Sequence, residues 1–84
     1  MGAYTAAKSG VLRLTESLAE ELKSRGIRVN SVSPTILDTP RNRADMPDAD
    51  PGKWLPPSDL AETMLWLASP DSAALTGANL LAGA

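Results

Sequence analysis

A long helical pattern that runs through a single glycine into a strand constrains this chain more than any other feature. Apolar residues recur at spacings of three and four from about residue 3 to residue 25, which predicts one long amphipathic helix. Gly26 follows as the expected end of the helix, because glycine readily takes the positive φ of a residue just past a helix. Residues 27–33 then have the pattern of a strand, and Pro34 is expected to end it. So short a join is typical of an α/β unit, in which the helix lies against the sheet.

The long helix is expected to bury one apolar stripe. The predicted members are Val11, Leu14, Leu18 and Leu22, widened by Leu12, Thr15 and Ala19. The opposite face carries charged residues, as a solvent-facing surface does.

The rest of the chain predicts a proline-rich loop, a second helix and a short strand. Five of the seven prolines lie within residues 38–57, which predicts an irregular loop with room for one short turn of helix. The second helix is expected to start at Ser58 or Asp59 and to stop at Ser69, before Pro70. Its predicted buried face consists of Leu60, Met64, Leu67 and Ala68. Residues 78–81 are expected to form the last strand.

Composition argues against several kinds of site and partner. The chain has no cysteine and no histidine, so we expect no disulfide and no metal site, and an intracellular, cytoplasmic location. The formal net charge is −2, from 8 basic and 10 acidic residues mixed along the chain, which argues against nucleic-acid binding. No apolar run approaches the roughly 18 residues of a membrane span. With 84 residues, the chain is expected to form one incomplete domain (residues 1–84) of marginal stability, about one and a half α/β units.

Tyr4 and Lys8 are the candidate acid–base pair. They lie four residues apart, so a helix places them on one face. At roughly 5 Å and an effective dielectric of about 20, the ammonium favours the phenolate by about 3 kcal/mol. That energy corresponds to about 2 pKa units, which would bring a phenol closer to the range useful for proton transfer. The alternative is an ordinary surface tyrosine and lysine.

Four motifs, in order, extend the pattern around this pair. They are YTAAKSG at 4–10, GIRVNSVSP at 26–34, LAS at 67–69 and LTGA at 75–78. Together they resemble the C-terminal part of the short-chain dehydrogenases/reductases, and the likeness spans essentially the whole chain. The resemblance implies a partial Rossmann-like α/β fold of three layers (long helix, strand, loop, helix, short strand), the C-terminal part of a doubly wound parallel sheet.

The resemblance also implies roles for individual residues. In that family the tyrosine gives or takes the substrate proton, while the lysine lowers the pKa of the tyrosine and binds the nicotinamide ribose. These roles fall to Tyr4 and Lys8, and the resemblance implies that both also bind the cofactor. The family's contacts to the nicotinamide carboxamide fall to Pro34, Leu37 (through its main chain) and Thr39. The cofactor of the intact parent would be NAD or NADP.

Two positions after the strand bear on this expectation. The family usually has glycine where this chain has Thr35, so the turn and the approach of the cofactor are expected to differ. Thr39 matches the family's threonine, with a turn hydroxyl before Pro40 as the alternative.

The segment 38–57 resembles the corresponding part of dihydropteridine reductase, which implies that it covers a small-molecule substrate. The alternative is a charged, solvated loop. No glycine-rich phosphate loop occurs in the chain, so the main pyrophosphate site is expected to lie outside it. The implied function is therefore the catalytic-helix part of an oxidoreductase that reduces a carbonyl or oxidises an alcohol, inactive alone. The alternative is a non-catalytic association module, since in the family the first helix commonly packs against its counterpart in a homo-oligomer.

Overall fold

Residues 2–83 form two long helices, a short helix and two strands. The computed structural model describes residues 2–83, apart from the side chain of Tyr4. The helices are α1 (Gly2–Leu22), α2 (Pro40–Asp45) and α3 (Pro57–Ala68), and the strands are β1 (Ser31–Pro34) and β2 (Asn79–Ala82). Single 3-10 turns occupy Lys23–Arg25, Pro51–Lys53 and Pro70–Ser72. The predicted α/β order is confirmed, with α2 added inside the loop.

The end of α1 follows the sequence prediction closely. Gly26 has φ +71° and donates its N–H to the carbonyl of Lys23 at 3.1 Å. The N–H of Ile27 donates to the carbonyl of Leu22 at 3.3 Å. These two bonds form a Schellman motif, which satisfies carbonyls that the helix itself leaves unpaired.

Replacing Gly26 by alanine is expected to lower the free energy of unfolding by about 1 kcal/mol, because a Cβ disfavours positive φ. Gly10→Ala is the matched control. It lies inside α1 and is expected to raise the free energy of unfolding by about 0.5–1 kcal/mol. Neither added methyl group would meet an atom within 4 Å, so both variants report backbone conformation. Urea unfolding followed by circular dichroism measures both, and effects of the same sign would contradict the assignment.

The first strand is shorter than the sequence predicts. The strand was expected over 27–33, whereas β1 covers Ser31–Pro34. Val29, which precedes β1, is instead held by the turn before β2. The carbonyl of Val29 accepts from the N–H of Gly77 at 2.7 Å, and the N–H of Val29 donates to Thr76 Oγ1 at 3.2 Å. The prediction was wrong there because β2 offers only four residues for pairing. β2 itself begins one residue later than predicted.

The sheet contains two parallel strands in the described part of the chain. Ser31 pairs with Asn79, and the register continues to Pro34 opposite Ala82. The N–H of Ser31 donates to the carbonyl of Ala78, just before β2, and the N–H of Thr35 donates to the carbonyl of Ala82. The nitrogen of Pro34, which carries no hydrogen, lies at an alternate position and faces the other edge of β1. No ladder bond is lost to the proline, and that second edge is unpaired among residues 2–83.

The chain forms a thin, open layer. Its radius of gyration is 15.2 Å, against about 12 Å for a compact domain of this length, and its smallest extent is 15 Å. Among the described residues, the buried apolar side chains are Ala19, Trp54 and Leu55, and no large side chain is fully buried. None of the helices in 2–83 has the length and apolar character needed to cross a bilayer.

The buried stripe of α1 differs from the predicted one. Thr15 and Ala19, expected at its margin, are the most buried, at 7% and 3% exposure. Val11 and Leu14, expected at its centre, are 55% and 58% exposed. The helix is rotated because the small Ala19 allows close approach: a Cβ at Gly77 would lie 3.5 Å from that of Ala19. Periodicity alone could not choose between two adjacent apolar strips.

The predicted buried face of helix α3 is only partly buried. Leu60 and Leu67 are half-buried, but Met64 is 56% exposed. All three line an open cleft of about 620 Å³ between α3 and β1. β1 and the residues just before it, Arg28 and Asn30, line the opposite side, and the cleft between the two sides is open among the described residues.

Candidate active site

The first part of the candidate site is a cleft of about 340 Å³ between α1 and β1. Lys8 lines it from the first half of α1, and Pro34 lines it from the end of β1. Lys8 is half-buried there. The structure therefore brings together two of the residues that the resemblance implicates, although they lie 26 positions apart in the sequence.

Tyr4 lies one helical turn before Lys8 in α1. Its side chain is outside the described part of the structure. The phenol–ammonium pair thus stays a prediction from sequence.

The second part of the site is the extended segment that follows β1. The carbonyl of Ile36 accepts from the N–H of Leu55 at 2.8 Å, and the N–H of Asp38 donates to the carbonyl of Leu55 at 2.9 Å. Leu55 is buried, so this bridge anchors the segment. The N–H of Leu37 takes part in no hydrogen bond among the described residues, which leaves it available as a donor.

Asn42, which the sequence analysis did not single out, joins Leu37 to Thr39. Its side-chain amide donates to the carbonyl of Leu37 at 2.9 Å, and its backbone N–H donates to Thr39 Oγ1 at 3.1 Å. Thr39 is thus the N-cap of α2, with Pro40 in the first turn. A threonine three residues before an asparagine, next to proline, is the signal that could have indicated this helix.

The cap does not exhaust the hydrogen-bonding capacity of Thr39. Its oxygen accepts from Asn42, whereas the hydroxyl proton has no acceptor among the described residues. The alternative of a turn hydroxyl is therefore compatible with a further donated bond.

An ion pair holds the start of the same segment. Arg43 donates from Nε and Nη2 to the two carboxylate oxygens of Asp38, at 2.6 and 2.9 Å. These hydrogen bonds and the positive charge hold the pKa of Asp38 below 3.8 and raise the pKa of Arg43. The pair's contribution to stability is therefore present above pH 3.8 and is lost as the pH falls through the lowered pKa of Asp38.

The expected irregular loop at 38–57 is more ordered than the sequence predicts. It contains α2 and the 3-10 turn Pro51–Lys53. The N–H of Gly52 in this turn donates to the carboxylate of Asp50 at 3.0 Å. Trp54 and Leu55 are buried at its end. The caps formed by the side chains of Thr39 and Asp50 account for the difference, because composition does not show which side chains cap a helix.

Thr35 lies between the two parts of the site. Its N–H donates to the carbonyl of Ala82 at 2.8 Å. A Cβ on Gly83 would lie 2.5 Å from Thr35 Cγ2 and 3.1 Å from its Oγ1. The side chain that replaces the family's glycine therefore lies beside Gly83 and does not line the Lys8 cleft.

Arg28 forms a structural clamp that the sequence did not indicate. Its Nη1 donates to the carbonyls of Ser72 and Leu75 at 2.8 and 3.1 Å. Its Nη2 donates to the carbonyls of Leu67 and Ser69 at 3.0 and 3.2 Å. The positive charge lies at the C-terminal end of α3, where the helix dipole favours it. The clamp joins the approach to β1 to the end of α3.

Comparison with known proteins gives consistent matches along the chain. The family model described as enoyl-(acyl carrier protein) reductase matches residues 1–83. The chain is 35% identical to the 3-oxoacyl-(acyl-carrier-protein) reductase of Vibrio harveyi, over 92% of this chain and 35% of that protein. It is 38% identical to the mouse (Mus musculus) (3R)-3-hydroxyacyl-CoA dehydrogenase, over 92% of this chain and 33% of that protein.

Solved structures agree with this result. A short chain dehydrogenase/reductase family protein matches with a TM-score of 0.82 and 36% identity, over 96% of this chain and 36% of that one. The 3-ketoacyl-(acyl-carrier-protein) reductase of Brucella melitensis, complexed with NADH, matches with a TM-score of 0.77 and 34% identity, over 95% of this chain and 35% of that one. The chain thus spans about a third of the length of the relatives it matches.

Proposed function

This chain belongs to the short-chain dehydrogenase/reductase family, and from that membership we propose that it is the catalytic-helix part of an NAD(P)(H)-dependent oxidoreductase. The parent reaction would reduce a carbonyl or oxidise an alcohol on a small molecule. The observation that carries the proposal is the cleft where Lys8 faces Pro34, followed directly by the anchored segment 35–39. The finer likeness of 38–57 to dihydropteridine reductase stays a prediction.

The groups at this site fit the nicotinamide end of such a cofactor. The N–H of Leu37 and the hydroxyl proton of Thr39 have no acceptors among the described residues, and an amide oxygen accepts from donors of this kind. Lys8 supplies an ammonium in the cleft that it shares with Pro34, and this group suits ribose hydroxyls. When bound, the cofactor would supply or accept a hydride.

The residues of this chain would handle the proton. Tyr4 would donate a proton to the carbonyl oxygen as the alkoxide forms, or remove it from the alcohol in the reverse direction. Lys8 would favour the phenolate by its charge. The N-cap of α2 and the Leu55 bridge would hold Thr39 and Leu37 in place before the ligands arrive. The segment 38–57 would cover the substrate.

A hybrid protein tests this proposal. In it, the present chain replaces the matching third of the Brucella melitensis reductase, which binds NADH in its crystal structure. The hybrid is expected to oxidise NADH in the presence of a 3-ketoacyl thioester, whereas the isolated chain is not. A folded hybrid that binds NADH without turnover would refute the catalytic role, and cofactor-dependent turnover by the chain alone would refute the fragment role.

The outer surface of α1 favours a second role in self-association. Leu14 is more than half exposed, and Ala3 and Gly10 are exposed beside it, whereas Ala7 and Val11 line the Lys8 cleft. A contiguous apolar strip with small residues suits close packing against another helix. We propose that α1 contributes to a homo-oligomer of the parent.

Leu14→Glu is expected to shift this chain towards the monomer, because a carboxylate cannot be buried unpaired in an apolar interface. Ser9→Glu adds the same charge at an exposed position about 140° away around α1 and is expected to leave the assembly unchanged. Analytical ultracentrifugation over a concentration series measures both. Equal sedimentation of the two variants would contradict an interface at Leu14.

A further inference from the structure

We infer that Gly83 is a positioning residue for the cofactor end of the site, because it leaves open the space that Thr35 requires. The inference rests on the proposed function for its bearing on NADH. Its structural premise is a contact between the ends of β1 and β2. Thr35 follows Pro34, and Gly83 follows Ala82, so the two residues continue the register of the parallel pair.

The contact leaves no room for a second side chain. A Cβ on Gly83 would meet Thr35 Cγ2 at 2.5 Å, Oγ1 at 3.1 Å and Cβ at 3.4 Å. Contacts under about 3 Å between such atoms are far inside their van der Waals optimum of roughly 3.5–4.0 Å. Both heavy atoms on Thr35 Cβ therefore point towards Gly83, and its hydrogen points away.

Rotation of Thr35 about its Cα–Cβ bond cannot clear both of the positions that face Gly83. A threonine fills two of its three staggered positions in every rotamer. At least one heavy atom therefore always occupies one of the two positions that face Gly83. The only rotamer that empties the 2.5 Å position turns the hydroxyl away from Gly83.

Displacement of the backbone is the other way to relieve the contact. The N–H of Thr35 is bound to the carbonyl of Ala82, so the N-terminal side of Thr35 is held. The same bond holds the peptide between Ala82 and Gly83, so the movement would be shared by Gly83 and by the C-terminal side of Thr35, and through the latter it would reach Ile36 and Leu37. Leu37 carries the N–H that is proposed to contact the nicotinamide carboxamide.

This pairing explains how the chain accommodates a threonine where the family usually has glycine. The Thr35 side chain does not line the cleft of Lys8 and Pro34, because its volume lies beside Gly83. The sequence predicts that the turn at Thr35 and the approach of the cofactor differ from those of the family. The glycine across from Thr35 gives its side chain a place outside the cleft.

The first test uses the 84-residue chain and does not depend on cofactor binding. Gly83→Ala is expected to shift the amide resonances of Ile36 and Leu37 in a two-dimensional ¹H–¹⁵N spectrum. The double variant Thr35→Gly/Gly83→Ala is expected to return them towards their original positions and to remain folded, because the clash is gone. Unchanged Leu37 resonances in Gly83→Ala, or no recovery in the double variant, would overturn the inference.

The second test measures NADH binding in the hybrid protein. Gly83→Ala is expected to raise the Kd for NADH about tenfold, or about 1.4 kcal/mol, and the double variant to restore it to within about twofold. A merely structural role would lower the unfolding temperature and leave the Kd of the folded hybrid unchanged, which would overturn the inference. If the unsubstituted hybrid fails to bind NADH, the proposed function fails, and the spectra of the chain alone still decide the Thr35–Gly83 contact.

Discussion

Tyr4→Phe in the hybrid protein is expected to reduce kcat roughly 10³-fold, within the range that general acid–base groups contribute. The change removes only the phenolic oxygen, so the Kd for NADH is expected to stay within about twofold of its original value. Turnover under saturating NADH and NADH binding by fluorescence titration give the two quantities separately. Thr5→Ser, at an exposed neighbouring position, is the control and should leave both unchanged.

Lys8→Met separates the two roles proposed for the lysine. In the reductive direction, where Tyr4 must be protonated, loss of the Lys8 charge is expected to move the falling limb of the pH–rate profile to higher pH, because the ammonium no longer favours the phenolate. Loss of its hydrogen bonds is expected to weaken NADH binding as well, unlike the loss of the Tyr4 hydroxyl. If Tyr4→Phe retained full turnover in a hybrid that still required Lys8, proton transfer would have to be assigned to another group.

The largest effect on stability is expected from Arg28→Met, which should lower the free energy of unfolding by about 3 kcal/mol or more. The substitution removes the charged donor from the carbonyls of Leu67, Ser69 and Leu75. These carbonyls keep only uncharged donors, from Ser72 and Asn30. Hydrogen bonds to charged groups contribute about 1.5–3 kcal/mol each, and they do not add fully within one network. A chain with so few buried apolar side chains has little stability to lose.

Arg25→Met is the matched control for the Arg28 substitution. Arg25 is exposed and lies in the 3-10 turn that follows α1, so its effect should stay within about 0.5 kcal/mol. Arg28→Lys is expected to fall between the two, because an ammonium cannot reproduce the planar fork of a guanidinium. Urea unfolding followed by circular dichroism ranks the three variants. Equal midpoints for Arg25→Met and Arg28→Met would show that the clamp contributes nothing to stability.

The open architecture of the chain indicates that its surfaces pack against further protein. The second edge of β1 is unpaired in the described chain, and the cleft between β1 and α3 is lined by half-exposed apolar side chains. We therefore propose that residues 1–84 are one incomplete domain, as the fraction of relatives' length that they cover also supports. An exposed strand edge and apolar clefts of this size favour association with further protein.

The sequence by itself determined the elements whose signals are local. Gly26 ended α1 because its positive φ is needed within one turn of the last helical residue, and Ser69 ended α3 next to Pro70. The order of the elements also followed from local periodicity. The family resemblance, confirmed by the comparisons, depended on short motifs that can be read without coordinates.

Only the tertiary structure decided which strip of α1 is buried, where β1 begins and how Arg28 is used. Val11 and Thr15 are neighbours on the same helix surface, and the strip that contains Ala19 packs beside the turn at Gly77. Arg28 reaches carbonyls 39 to 47 residues away, and Thr35 has room because of a glycine 48 positions later. Such contacts leave no periodic pattern in the sequence and need no special local conformation. They form only when segments that are distant in the sequence pack together.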